Sequence, residues 1–381
     1  MNIAYFNANM RIGQDGVTRV MYRMMEAARH RGHAVLALTS TLPDPGQTDI
    51  PMVKVPSVVL PLQKAYRIAL PGYHHFAPQL RSFRPDLLHI NSPCTLGFAA
   101  AKYARHFGVP VVATYHTHFP TYPRYYHIYG AEEMTWRLIR SLYNSLDRTF
   151  VPTEPIRREL VANGVDRTVY VPNGVDTHQF SPTRRSMEWR RRINASGGKT
   201  IVLFVSSLVW EKDLRDLAKT YQWLRAHRAD FEMVIVGDGY ARKGFEAMMP
   251  GAHFLGYQTG APLAESFASS DIFVFPSTTE TFGLVTAEAM ASGLAPVAAG
   301  YGGAVELIED GCSGFLTTPH RPVEMAERVS WLLDHPHERR IIQENALQRA
   351  RQFSWDTILP QIFDHYRDVI RLQSQRRRSA A

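Results

Sequence analysis

The stretch DIFVFPSTTETFGLVTAEAMASG, residues 271–293, carries an apolar run, a loop of small hydroxyl residues and a helical segment in succession. IFVF is the kind of short continuous apolar run that a strand buried on both faces requires. LVTAEAMA favours a helix, and Gly293 is placed to end it in a left-handed cap. Strand followed by helix is half of a βαβ unit, and the loop between them lies at the carboxyl end of the sheet, where such folds bind ligands. A helix beginning near Phe282 or Gly283 aims its free N–H groups at an anion, and a residue without a side chain lets that anion approach the backbone. Two carboxylates frame this start with seven residues between them. Glu280 stands at the rim and Glu288 more than a turn inside, spaced to reach different hydroxyl groups of one ligand. Diphosphate is the anion expected there, and the division of the two carboxylates suits a nucleotide sugar.

The same alternation extends outward in both directions. NIAYFNA precedes the helical VTRVMYRMMEAARHRGH, HAVLALTS follows, and PDLLHI, LGFAAAKYARHFGV and PVVATYH repeat the pattern. A second series runs through KTIVLFVSS, FEMVIVGDG, AHFLGY, DIFVFPS and APVAAG. The reading is α/β: two doubly wound domains facing a central cleft, the first over residues 1–172 and the second over 173–355, with the Pro- and Gly-bearing segment 171–182 as the hinge. At 381 residues the chain is long enough for a core in each.

Composition narrows the partners. With 45% hydrophobic and 20% charged residues the chain is globular, and a net charge of +8 favours phosphates, nucleotides or an anionic membrane surface. Cys94 and Cys312 lie far apart and in no metal-ligand spacing, so both are expected as buried small hydrophobes in a reducing compartment. The opening MNIAYFNANM shows no basic leader, and no run approaches the roughly 20 apolar residues of a spanning helix. A cytoplasmic protein is expected.

The Glu, seven residues, Glu arrangement resembles that of the family-4 retaining glycosyltransferases of the GT-B fold, two Rossmann-like domains. Further segments agree in order along nearly the whole chain. GQDGVTRVMYR resembles the family's first glycine loop, VPNGVDTHQFSP its interdomain segment, VGDG a strand end of its second domain, and FSW at Phe353 its C-terminal signature. VVATYHTHFPTY is similar to the branch with sulfoquinovosyl- and glucosyl-diacylglycerol synthases and phosphatidylinositol mannosyltransferases.

The resemblance implies transfer of a hexose from a UDP- or GDP-sugar to a hydroxyl acceptor with the anomeric configuration kept, without a metal or other cofactor. It implies that Glu280 meets hydroxyls of the transferred sugar and Glu288 the ribose. The backbone at Phe282, Gly283 and Leu284 would hold sugar and diphosphate, and Lys212 in VWEKD matches the lysine that neutralises phosphate charge. Gly16 in the first glycine loop, and Gly237 and Gly239 as turn residues, fall on the nucleotide-sugar side. His116 matches the family's functional histidine; as a metal pair, His116 and His118 lack a third ligand at recognisable spacing. Ser206 and Ser207 stand where the family commonly has Gly-Arg, so the arginine of the phosphate clamp is missing, with Arg11, Arg19 or Arg215 as substitutes. Retention is expected from front-face attack assisted by the phosphate, so the carboxylate geometry of glycoside hydrolysis does not apply.

The acceptor is read from VVLPLQKAYRIALPGYHHF, residues 58–76, where Lys64, Arg67, His74 and His75 are interleaved with apolar side chains. This is either a surface loop and helix completing the first domain or an interfacial patch meeting anionic lipid. Together with Tyr122, Lys64 and Arg67 are assigned to the acceptor and membrane side, for a lipid such as diacylglycerol or a glycolipid precursor at the inner face of the membrane. A glycan is the other acceptor, and nucleic acid is not expected. The C-terminal helix, around 356–371 and with its tail to 381, is expected to pack back on the first domain. Alternatives of the same fold are a sugar-nucleotide epimerase and a noncatalytic sugar-nucleotide binder.

Overall fold

Fifteen strands, named in chain order, carry the architecture of the computed structural model, which describes all residues except 14, 61–62, 71, 122–129, 194–197 and 381. They are β1 Asn2–Phe6, β2 Ala34–Thr39, β3 Met52–Lys54, β4 Ser57–Leu60, β5 Gln63–Ala69, β6 Leu87–Ile90, β7 Val111–Thr114, β8 Arg148–Val151 and β9 Thr168–Tyr170. The series continues with β10 Thr200–Val205, β11 Phe231–Val236, β12 His253–Phe254, β13 Ile272–Phe275, β14 Ala295–Ala299 and β15 Phe315–Thr317. The chain divides into two units, one of Met1–Pro172 with Ile358–Ala381, the other of Asn173–Thr357.

In the first unit the parallel strands run β3-β2-β1-β6-β7-β8-β9. Helices on the sheet's faces leave β1 and β6 almost no water-exposed position, which is why both are near-continuous apolar runs. Each fully buried Val, Leu, Ile or Phe contributes roughly 1.5–3 kcal/mol relative to exposure, and these runs share the unit's core with Leu80, Leu96, Val111 and Leu142. Strand order reverses between β1 and β6, the place where doubly wound sheets open a crevice.

The last helix runs over Trp355–Ala380. From Ile358 onward it belongs to the first unit. Ile358, Ile362, Phe363, Tyr366 and Val369 are buried at helical spacing, and Phe363 packs edge-on to His33. Tyr366 meets His89, a wholly buried residue of β6, at 2.5 Å, while the other His89 nitrogen pairs with Thr114 Oγ1 at 2.8 Å. The imidazole is thereby satisfied on both sides without charge.

Two sequence readings change here. Residues 58–70, one expected form of which was a surface loop and helix, instead pair β4 with β5 as an antiparallel hairpin followed by a short turn at Tyr73–His75. At the end of β5 the exposed Ile68 falls between the half-buried Arg67 and the buried Ala69, a period of two that the interleaved charges obscured. The cysteines are not buried: Cys94 is half-buried beside Ser92 Oγ, and Cys312 is exposed beside Asn345. Both sit at loop or helix-start positions, where the sheet gives no cover.

In the second unit the parallel order is β12-β11-β10-β13-β14-β15, with reversal between β10 and β13. Phe204, Phe273 and Phe275 stack through its centre. Among the described residues no helix is long and apolar enough to cross a membrane.

Candidate functional site

The reversal between β10 and β13 sets two loops side by side at the carboxyl ends of those strands. After β10 the chain passes Ser206 and Ser207, makes a one-turn helix at Trp210–Lys212 and enters the helix Leu214–His227 through Asp213. After β13 it runs through 276–283 into the helix Leu284–Ala291, whose cap Gly283 is left-handed at φ +84°. Gly293 ends this segment at φ +80°.

Side chains join the two loops at several points. Asp213 Oδ2 accepts hydrogen bonds from Thr278 N and Thr278 Oγ1, both 2.8 Å long, and Thr279 Oγ1 donates to the Glu211 carbonyl at 3.2 Å. Lys212 Nζ lies 2.5 Å from Glu280 Oε1 and 3.3 Å from Thr279 Oγ1. The Lys212 and Glu280 side chains keep 21% and 24% of their surface, so the pair is partly desolvated yet open to a ligand. Burial pushes the Asp213 carboxyl above the usual carboxylate range, and the Thr278 hydrogen bonds oppose that shift.

Glu288 differs from Glu280. It sits on the second turn of its helix and is 4% exposed. The Phe282 side chain also turns inward, edge-on to Phe353 at 5.8 Å, so its backbone is what the loop can offer. Leu284 is half-buried and Ser207 is exposed. Gly237 and Gly239 have a reason of their own: a Cβ on Gly237, at φ +142°, would lie 1.8 Å from the Ser206 carbonyl, and one on Gly239 2.4 Å from that of Leu208. Only glycine lets the β11 loop lie so close to the β10 loop.

The remaining predicted residues belong to the first unit. Gly16 is the first residue of the helix Gly16–His30, which Asp15 caps through a 2.7 Å bond from Thr18 N. His116 Nε2 pairs with Asn91 Oδ1 at 2.9 Å. Burial pushes its pKa down to about 3, so it is a neutral imidazole at physiological pH. His118 meets Tyr115 Oη at 3.0 Å and Glu159 at 3.1 Å. Arg67 donates to Ser57 Oγ and to the Ser57 carbonyl, each at 2.8 Å. Lys64 lies in β5, its side chain outside the described residues, as is all of Tyr122.

Of the arginines weighed as substitutes for the missing clamp, Arg215 stands beside the second unit's loops, its guanidinium 4.4 Å over the Trp210 ring. Arg11 and Arg19 are in the first unit. Among the described residues, Asp213, Asp216 and His320 are grouped closely enough to hold a metal. Their geometry is explained without one, since His320 Nδ1 pairs with Asp216 at 2.9 Å and Asp213 holds Thr278.

Asp213, Thr278 and Thr279 went unread in the sequence. An Asp before a helix is ordinarily its N-cap. Asp213 makes no such side-chain cap and instead crosses to the next loop.

The two neutral histidines carry a pH consequence. His89, held well below the usual imidazole range by burial, and His116 both have folded pKa values below the unfolded one. Their contribution is therefore present above about pH 6.5 and lost as pH falls toward the folded values, because the unfolded chain then binds more protons. The melting temperature is expected to drop between pH 7 and pH 5. His89→Gln should start lower and drop less, which thermal unfolding at the two pH values measures.

Two family models match consecutive parts of the chain: Glycosyltransferase Family 4 over residues 14–179 and Glycosyl transferases group 1 over residues 186–349. The chain is 33% identical to a GDP-mannose-dependent alpha-mannosyltransferase of Corynebacterium glutamicum over 95% of its length and 87% of that protein. It is 35% identical to a sulfoquinovosyl transferase of Arabidopsis thaliana over 73% of its length and 55% of that protein. In structure it is similar to the Anabaena protein HepE solved in complex with UDP, with a TM-score of 0.77 at 21% identity over 97% of this chain and 100% of that one.

Proposed function

Because the chain belongs to glycosyltransferase family 4, with the GT-B fold and nucleotide-sugar-dependent transfer, we propose a division of that reaction among its residues. The observation that carries the reading is the partly exposed Lys212–Glu280 pair on the two loops at the β10/β13 reversal. Lys212 meets the diphosphate and stabilises it as it departs, the electrostatic part of catalysis. Glu280 accepts hydrogen bonds from hydroxyls of the transferred sugar, and Glu288 receives the ribose. The backbone of Phe282, Gly283 and Leu284 lies along the sugar and diphosphate, and Gly237, Gly239, Gly16 and Ser207 complete the nucleotide-sugar side. His116, neutral and oriented by Asn91, serves the reaction from the first unit as a hydrogen-bonding group rather than a charge. No metal is assigned a part.

The related proteins named above are transferases, so the epimerase and noncatalytic alternatives are not retained. GDP-mannose is the first sugar nucleotide to test, followed by UDP-glucose. A panel of GDP- and UDP-sugars, scored for thermal stabilisation and for hydrolysis without acceptor, tests the assignment, since a tight ligand raises the unfolding temperature by mass action. Absence of both signals across the panel would remove it.

The second half of the proposal is a lipid acceptor reached from the membrane surface, by a protein peripheral to the inner face. Its support is the hairpin, which exposes Val58, Val59, Ile68 and Leu70, with His74 also exposed just beyond. Apolar side chains of that kind enter the headgroup region, and each near-surface Lys or Arg adds about 1 kcal/mol toward anionic lipid. In co-sedimentation the protein is expected to bind vesicles containing anionic lipid, to release with salt, and to lose binding when Lys64 and Arg67 become Glu. Indifference to anionic vesicles at low salt would leave a soluble acceptor.

A further inference from the structure

Lys212 offers one positive charge and three N–H bonds. Glu280 already takes the charge at 2.5 Å, and Glu280 and Thr279 take two of the three bonds. Neither loop can easily withdraw, because Asp213 holds Thr278 and the Glu211 carbonyl holds Thr279 on either side of the pair. A diphosphate and the Glu280 carboxylate are therefore two anions competing for one ammonium in a partly desolvated place, where screening by water is weak. Competition of this kind penalises a nucleoside diphosphate on its own more than the same diphosphate carrying a sugar, whose hydroxyls give the carboxylate another partner.

Resting on the reading above, we infer that Glu280 has a second role: it expels the spent nucleoside diphosphate. While the sugar is attached, its hydroxyls donate to Glu280 and Lys212 is left to the phosphates. Once the sugar has moved to the acceptor, the carboxylate returns to Lys212 and loosens the product. The same residue that grips the transferred group thereby limits product inhibition.

The test uses the full chain and two probes, GDP and UDP, titrated calorimetrically into wild type, Glu280→Gln, Glu280→Ala and Lys212→Met, and into Lys212→Met combined with Glu280→Gln. Removing the carboxylate should tighten the nucleotide that wild type prefers by about tenfold, equivalent to ~1.4 kcal/mol. Lys212→Met should weaken it, and Glu280→Gln should add nothing in that background, because the ammonium it frees is no longer there. Tightening in either Glu280 variant, absent in the double variant, supports the role. Equal or weaker binding in both, or the same tightening without Lys212, overturns it while leaving the transferase assignment intact. If neither nucleotide binds wild type or any variant, the nucleotide-sugar assignment and this inference fall together.

Discussion

Glu280→Gln is expected to lower kcat/KM for sugar transfer by about 10²–10³-fold while leaving the melting temperature within a few degrees of wild type. The amide keeps the shape of the carboxylate and removes its charge, and Glu280 lies in the loop between β13 and its helix rather than in the core. Its loss should fall on kcat, because a charged acceptor aimed at the reacting sugar is worth most when charge is moving. Glu288→Gln should behave differently, mainly raising KM for the sugar nucleotide, since the proposed ribose contact is equal in ground and transition states. Steady-state kinetics on both variants separates them. A Glu280→Gln protein with wild-type kcat/KM would sink the site assignment.

Gly303→Ala should cost on the order of 3 kcal/mol of stability. Gly303 opens the helix Gly303–Leu307 after β14, and a Cβ there would lie 1.9 Å from the Phe282 carbonyl oxygen and 2.0 Å from its carbon. Backbone, not a flexible side-chain end, blocks the added methyl, so the 276–283 loop or the helix must move. Because Gly303 N also donates to the Glu280 carbonyl at 3.1 Å, the displacement reaches the Lys212–Glu280 pair. Denaturant unfolding should show the loss, and nucleotide titration should show weakened binding in whatever folded protein remains. Unchanged stability and affinity would mean that the two loops do not pack so closely.

How far the chain could be read without coordinates follows from how local each signal is. The apolar runs at Ile201–Phe204, Val234–Val236 and Ile272–Phe275 are legible because a strand buried on both faces must be apolar throughout. The pattern around Glu280, Gly283 and Glu288 is legible because strand, loop and helix start follow one another within a few residues. With those came two doubly wound units and the candidate anion-facing loop. Segments such as β4–β5 were ambiguous even locally, since charged residues within a hairpin blur its alternation.

What remained hidden depends on strand order. Lys212 and Glu280 are 68 residues apart, Asp213 and Thr278 are 65, and His89 and Tyr366 are 277. No periodicity links such pairs; they meet because β10 lies beside β13 and because the last helix returns to the first sheet. The same applies to Gly303, whose need for glycine comes from the Phe282 carbonyl on another loop, and in part to Gly237, where the Ser206 carbonyl adds to its own positive φ. Residue types and local spacing determine which elements form and which side chains are chemically able to serve a site. Which of those side chains touch, and so which charge cancels which, is decided by the packing of loops that only the folded sheet brings together.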